Sequence, residues 1–225
     1  ILSFIIVGLL GIVFLSNNAV EVIQIADVLE EQNNVEFFLI EDLKNNDYSF
    51  DSPKVVLNPY ANSPLTALLM FETDTEESIE IVIEGKDEKT TISNVFDKEK
   101  MHIIPVYGLY ADHDNKVTIY MGGRQKTVII KTDPLPEDFI LPTSIYADKS
   151  LVSDDLLFVS IATSGYTAAY DVNGDPRWYL EGNYAWDIGR LDNGRLMLSS
   201  TRPIAPPYYT VGLSEIDLLG KVYNE

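Results

Sequence analysis

The chain contains no cysteine. That absence removes a disulfide framework, a thiolate metal site and a thiol nucleophile at once, and it leaves the compartment undecided. Basic residues are scarce as well: 16 Lys and Arg stand against 35 Asp and Glu, a formal net charge of −19. Nucleic acid is disfavoured as a partner, because phosphate binding needs a concentrated basic face and no basic cluster occurs. The acidic balance otherwise means a soluble, self-repelling surface. Only two histidines occur, His102 and His113. No glycine-rich phosphate loop, Gly-x-Ser-x-Gly elbow or zinc-ligand spacing is present, so neither a metal nor a cofactor is expected.

Long apolar runs are limited to "ILSFIIVGLLGIVFL", residues 1–15, apolar except at Ser3. As a helix it would span roughly 22 Å, short of the ~30 Å hydrocarbon core of a bilayer. It fits the apolar region of a secretory signal, or a signal anchor with a trimmed start. Residues 1–19 are read as that signal peptide or membrane anchor, with a buried core helix as the alternative. Export to the periplasmic or extracellular face of the cytoplasmic membrane is expected, with membrane contact through this segment alone. "SNNA" is a weak cleavage site, so removal of the segment stays open. The chain opens on Ile and closes on "KVYNE", inside a strand-like run, and reads as a piece of a longer protein.

What is present is a globular composition: 225 residues, 46% hydrophobic, enough for one large or two modest domains. Residues 20–50 form a helical segment. Val22, Ile25 and Leu29 make one stripe, Val35, Leu39 and Leu43 a second, with Asn33-Asn34 expected to interrupt between them. From residue 51 to 133 the period changes to two. "SIEIVIEG" and "KVTIYM" alternate cleanly, and with "KVVL", "LTALLMFET", "TTISNVF", "MHIIPVY" and "KTVIIK" they predict seven short strands in a small Ig-like β-sandwich. Residues 134–142 hold Pro134, Pro136 and Pro142 and read as a stiff linker.

Residues 143–225 carry an internal repeat. "YDVNGDPRWYL" and "IDLLGKVYNE" share an apolar-Asp-x-x-Gly pattern, in which Asp171 and Gly174 recur as Asp217 and Gly220. Upstream of each, "DDLLFVSIAT" answers "NGRLMLSSTR". Short strands repeating at roughly 40 to 50 residues are the signature of β-propeller blades. Asn173-Gly174 and Asn193-Gly194 are hairpin signals. Asp171-x-Asn173-x-Asp175 looks superficially like a calcium loop, but Gly182 occupies the position that needs a glutamate, so a turn explains it better.

Several of these stretches resemble one family. "VVLNPYANSPLTALLMFET" and "IPVYGLYADHDNKVTI" are similar to the amino-terminal domain of bacterial arylsulfate sulfotransferases, and the linker with "YDVNGDPRWYL" resembles the start of that family's propeller. The resemblance implies a mainly β protein, a sandwich followed by a six-bladed propeller, exported from the cytoplasm. It implies transfer of a sulfuryl group from a phenolic sulfate donor to a phenol acceptor through a transiently sulfated histidine. Other histidines and an arginine would hold the sulfate oxygens. In the family a His-His-Asp motif opens the inner strand of a blade; here Ala185-Trp186-Asp187 stands at that place, so the reacting histidine is expected after Glu225 and this chain alone is expected to be inactive.

Four residues are candidates for substrate contact. Trp186 is a ring for an aromatic wall, against a packing role between blades. Tyr107 and Tyr110 are placed to reach over a funnel mouth, against packing between domains. Arg202 offers a planar donor fork for sulfate, against an ordinary exposed loop arginine. Asp187 reads as a strut. The alternatives to an enzyme are a non-catalytic cell-surface propeller that binds a ligand, and a structural surface protein whose sandwich forms a homodimer.

Overall fold

The computed structural model describes residues 25–148, 156–160, 166–182, 188–199 and 212–224. The apolar stretch 1–15 lies outside them, as do Trp186, Asp187 and Arg202. The first described element, α1 (Ile25–Asn45), runs unbroken through Asn33-Asn34. Both asparagines are exposed, where each costs a helix less than ~1 kcal/mol relative to Ala, too little to stop it. Near the far end, Asn46 Nδ2 donates to the Asp42 carbonyl at 2.8 Å, filling one of the acceptors a helix terminus leaves open. Leu43 and Leu39 pack against Leu68, Met70 and Leu219, while Phe37 and Phe38 face out as an edge-to-face pair. Among the described residues no helix is long and apolar enough to cross a membrane.

Five strands follow where the sequence suggests seven: β1 (Lys54–Leu57), β2 (Thr66–Ile83), β3 (Ile92–Tyr107), β4 (Asp114–Met121) and β5 (Arg124–Lys131). "LTALLMFET" and "SIEIVIEG" fuse into β2, and "TTISNVF" and "MHIIPVY" into β3. The joining stretches "DTEE" and "DKEK" are charged but hold no Gly or Pro, so nothing turns the chain there. The β2–β3 register shifts instead at Glu72/Glu77 and Glu77/Ile79, and such bulges bend and twist a ribbon. Side chains take up backbone groups around them: Thr73 Oγ1 donates to the Thr75 carbonyl at 2.8 Å and Ser78 Oγ to the Phe96 carbonyl at 2.7 Å.

The sheet runs β1-β2-β4-β5, with β3 along the other side of β2. Its inner face carries Ala67, Leu69 and Phe71 from one end of β2 and Ile79, Ile81 and Ile83 from the other, closed by Ile104, Val106, Val117 and Ile119. Each large aliphatic or aromatic side chain buried here contributes ~1.5–3 kcal/mol. Gly122 and Gly123, both at positive φ, make the two-residue turn that the β4–β5 register requires.

The second half builds two antiparallel meanders. One holds β6 (Leu157–Ser160), β7 (Thr167–Tyr170) and β8 (Pro176–Leu180); the other is ordered β12-β11-β10-β9, from β9 (Ile188–Arg190), β10 (Leu196–Ser199), β11 (Leu213–Ile216) and β12 (Val222–Asn224). The sequence repeat is visible in their turns. Gly174 N–H donates to the Asp171 carbonyl at 2.8 Å, and Gly220 N–H to the Asp217 carbonyl at 3.0 Å. Asp171 Oδ1 accepts from the Asp175 N–H at 3.1 Å, and Asp217 Oδ1 from the Lys221 N–H at 3.0 Å. Both glycines lie at positive φ, which a residue with a Cβ adopts poorly. Strands β6, β7 and β8 therefore correspond to β10, β11 and β12.

Strands β7 and β8 are buried at every position, and their alternation explains how. Ala168, Tyr170 and Tyr179 belong to the core of the sandwich. Ala169, Trp178 and Leu180 pack with Leu196, Leu198, Ile216 and Val222 of the next sheet. The β6–β8 sheet is thus a middle layer, apolar on both faces, and "RWYL" reads as continuous rather than alternating for that reason.

Candidate functional site

Polar groups converge where the two Asp-x-x-Gly turns meet the sandwich. At the first turn, Arg177 extends from β8 and is 0% exposed. Its Nε donates to the Gly108 carbonyl at 2.7 Å; its Nη1 lies 2.7 Å from the Thr90 carbonyl, 2.9 Å from the Tyr110 hydroxyl and 3.2 Å from Asp171 Oδ2. The guanidinium sits 3.9 Å from the centre of the Tyr110 ring. Tyr110 donates to Asp171 Oδ2 at 3.2 Å and accepts from the Lys86 N–H at 3.1 Å. The backbone that receives Arg177 is specialised. Gly108 has φ +81, and a Cβ there would stand 2.4 Å from Ile92 Cδ1. Asn115 fixes the loop by accepting from the Tyr110 N–H at 2.7 Å and donating to its carbonyl at 3.0 Å. Outside this buried set, Lys86 pairs with Asp175 at 2.8 Å and Asn173 with Asp87 at 3.0 Å.

The second turn docks on α1 and on the loop after β1. Asn62 Nδ2 donates to the Gly220 carbonyl at 2.8 Å, Ser63 Oγ to the Leu218 carbonyl at 2.9 Å, and the Val222 N–H to Gln32 Oε1 at 3.1 Å. Lys221 reaches Glu36. The receiving loop is tightly wound, with Asn58 and Ala61 both at positive φ and Asn58 Oδ1 accepting from the Ser63 N–H at 2.8 Å. Six residues past each turn aspartate stands a side chain that reaches its Oδ2: Arg177 for Asp171, and Tyr223, at 3.1 Å, for Asp217. Burial pushes the Asp217 carboxyl above its ordinary range, against bonds from Lys221, Tyr223 and Leu219.

Three tyrosines crowd this second joint. Burial raises the Tyr60 and Tyr107 phenols, helped by Glu36 at Tyr60 and by Asp217 at Tyr107, and burial with the charge of Asp217 pushes Tyr223 up to about 12. A phenol whose folded pKa is raised supports the fold fully below pH ~10, and that support is lost as pH climbs through the folded value. Tyr60, Tyr107 and Tyr223 are therefore expected to ionise only together with loss of the circular dichroism signal. Their ionisation within the ordinary phenol range, with the fold intact, would contradict this arrangement.

The candidates named from sequence fall as follows. Tyr110 is 3% exposed and lies in the first joint. Tyr107 is half-buried and packs with Leu43, Leu68, Met70 and Leu219 at the second. Trp186 and Arg202 are outside the described residues. His102 is buried, stacked 4.6 Å from Phe71, with Nε2 3.0 Å from Thr73 Oγ1; burial pulls its pKa down despite Glu99 and Glu77 nearby. His113 is exposed beside Tyr110. Arg177 and Asn115 have no counterpart among the residues singled out from sequence. An arginine between Pro176 and Trp178 in an apolar strand was the one available signal.

A groove of about 650 Å³ opens beside the first turn, lined by Ile140, Leu141, Ile145, Tyr146, Leu157 and Tyr170 among others. It has the size and apolar character for a ring, and its described lining includes no histidine, lysine or arginine. Among the described residues no cluster of His, Cys, Asp and Glu is suited to a metal ion.

The family model of the arylsulfotransferase Ig-like domain matches residues 54–134, and that of the arylsulfotransferase itself matches residues 142–225. An arylsulfate sulfotransferase of Lelliottia amnigena is 33% identical over 108 residues, 44% of this chain and 17% of that protein. An arylsulfate sulfotransferase of Escherichia coli O6:H1 is 30% identical over 108 residues, again 44% of this chain and 17% of the relative. The match therefore spans less than a fifth of the length of these curated relatives. With both family models matched in tandem, across the sandwich and the repeats, this chain belongs to the arylsulfotransferase family.

Proposed function

We propose that this chain is the amino-terminal part of an exported enzyme that moves a sulfuryl group from a phenolic sulfate ester to a phenol. The tandem match of the sandwich and repeat models carries that reading. The two meanders are the first blades of a six-bladed propeller, with β9 on the axial side of its blade. The histidine that takes up the sulfuryl group is encoded after Glu225. His102 and His113 do not serve, because one is packed on Phe71 and the other is an exposed turn residue. Trp186 contributes an aromatic wall and Arg202 a sulfate contact. Tyr107 and Tyr110 act at one remove, by holding the sandwich on the first repeats. The apolar stretch 1–15 directs export.

The test is mass spectrometry of the protein extended past Glu225, after exposure to an aryl sulfate without an acceptor phenol. One histidine peptide from beyond Glu225 is expected to gain the mass of a sulfuryl group and to lose it when phenol is added. A gain on His102 or His113, or on no histidine, would overturn the proposal.

A further inference from the structure

The β6–β8 sheet has strands of four or five residues, and the strands of the next sheet have three or four. Strands this short bury little apolar surface each, and a repeat unit cannot bury its apolar face without a neighbour. Here the neighbour of the first repeat is the sandwich, and the second packs on the first while its turn reaches α1 and β2. Ala168, Tyr170 and Tyr179 complete its core, and Leu219 from the second turn inserts between α1 and β2. Both turns are held by bonds that cross from repeat to sandwich: Arg177 to Gly108 and Thr90 at one, Asn62 to Gly220 and Ser63 to Leu218 at the other. The two receiving surfaces are distinct, yet they accept the same turn from successive repeats.

We propose that the sandwich and α1 form a two-socket template on which the first two repeats fold, so that sandwich and repeats open as one cooperative unit held together by the buried Arg177 joint. The sandwich then sets the spacing of the first two repeats, and the segments that follow them have a fixed edge to build on. The inference does not depend on the proposed sulfuryl transfer, and its test reads no activity.

Native-state hydrogen exchange on the 225-residue chain decides it. The amides of β7, β8 and β11 are expected to open at the same free energy as those of β2 and β4, as members of one unit do. In Arg177→Met the repeats should separate from the sandwich: protection in β7 and β8 falls by at least about 100-fold, the scale of losing one partner of a buried ion pair, and falls further than that of β2 and β4. Repeats that already exchange much faster than the sandwich in the unmodified chain would overturn the proposal, as would unchanged protection of β7 and β8 in the variant. If Arg177→Met does not fold, the unmodified chain decides alone: equal opening upholds the proposal and unequal opening ends it.

Discussion

Asp171→Ala is expected to destabilise the chain by about 3–5 kcal/mol, because it strands the Arg177 guanidinium in the interior without its anion. Both side chains are closed to solvent, 0% exposed for Arg177 and 3% for Asp171, so water cannot replace the missing partner. Asp171 also caps its own turn through Asn173 and Asp175, and those N–H groups would lose their acceptor. Arg177→Met should cost a similar amount, since the Gly108 and Thr90 carbonyls and Asp171 itself lose a donor. The double replacement is expected to lose less than the sum of the singles by ~1–3 kcal/mol, the coupling found between residues of one buried network. Urea unfolding of the three variants measures this directly. Additive losses would show that the pair does not act as a unit. The exposed pair Lys116–Glu84 is the natural control, and Lys116→Met is expected to leave the unfolding midpoint where it is.

The second large effect is expected at Trp178, which is 1% exposed. Its ring packs 5.5 Å from Phe158 and against the apolar face of the β9–β12 sheet, while Nε1 donates to the Leu218 carbonyl at 2.7 Å. Trp178→Ala removes the filling between the two sheets and the bond that ties them, and should cost about 3–5 kcal/mol. Trp178→Phe keeps most of the apolar bulk and loses one donor, while the Leu218 carbonyl keeps the Ser63 hydroxyl at 2.9 Å, so the loss should be ~0.5–1.5 kcal/mol. Urea midpoints that fall in the order parent, Phe, Ala would support this account. An Ala variant within ~1 kcal/mol of the parent would mean that the two sheets do not depend on each other.

Much of this arrangement was legible as pattern. Period-two alternation locates the second half of β2 and most of β4, and the Asp-x-x-Gly pairs locate two turns that prove alike down to their carboxylate bonds. The errors were errors of punctuation. Charged runs without Gly or Pro suggest breaks in β2 and β3, whereas the chain stays extended and bulges; Asn33-Asn34 suggests a helix break, whereas α1 runs through it. Arg177 was missed for a different reason. Its acceptors Gly108 and Thr90 lie 69 and 87 residues away in sequence, so nothing local marks it as a buried anchor. Two stretches that resemble the family, "VVLNPYANSPLTALLMFET" and "IPVYGLYADHDNKVTI", hold much of the sockets: Asn62 and Ser63 in one, Gly108, Tyr110 and Asn115 in the other. Loops wound through positive φ at Asn58, Ala61 and Gly108 tolerate few sequences, which is a physical reason for stretches so distinctive.

The division of labour proposed for the protein places its joint within this chain and its chemistry beyond Glu225. Sulfuryl transfer from an aryl sulfate to a phenol, compared between the 225-residue chain and the protein extended past Glu225, tests that most directly. The account expects turnover by the extended protein and none by the chain alone. Transfer by the chain alone at the extended protein's rate would contradict it.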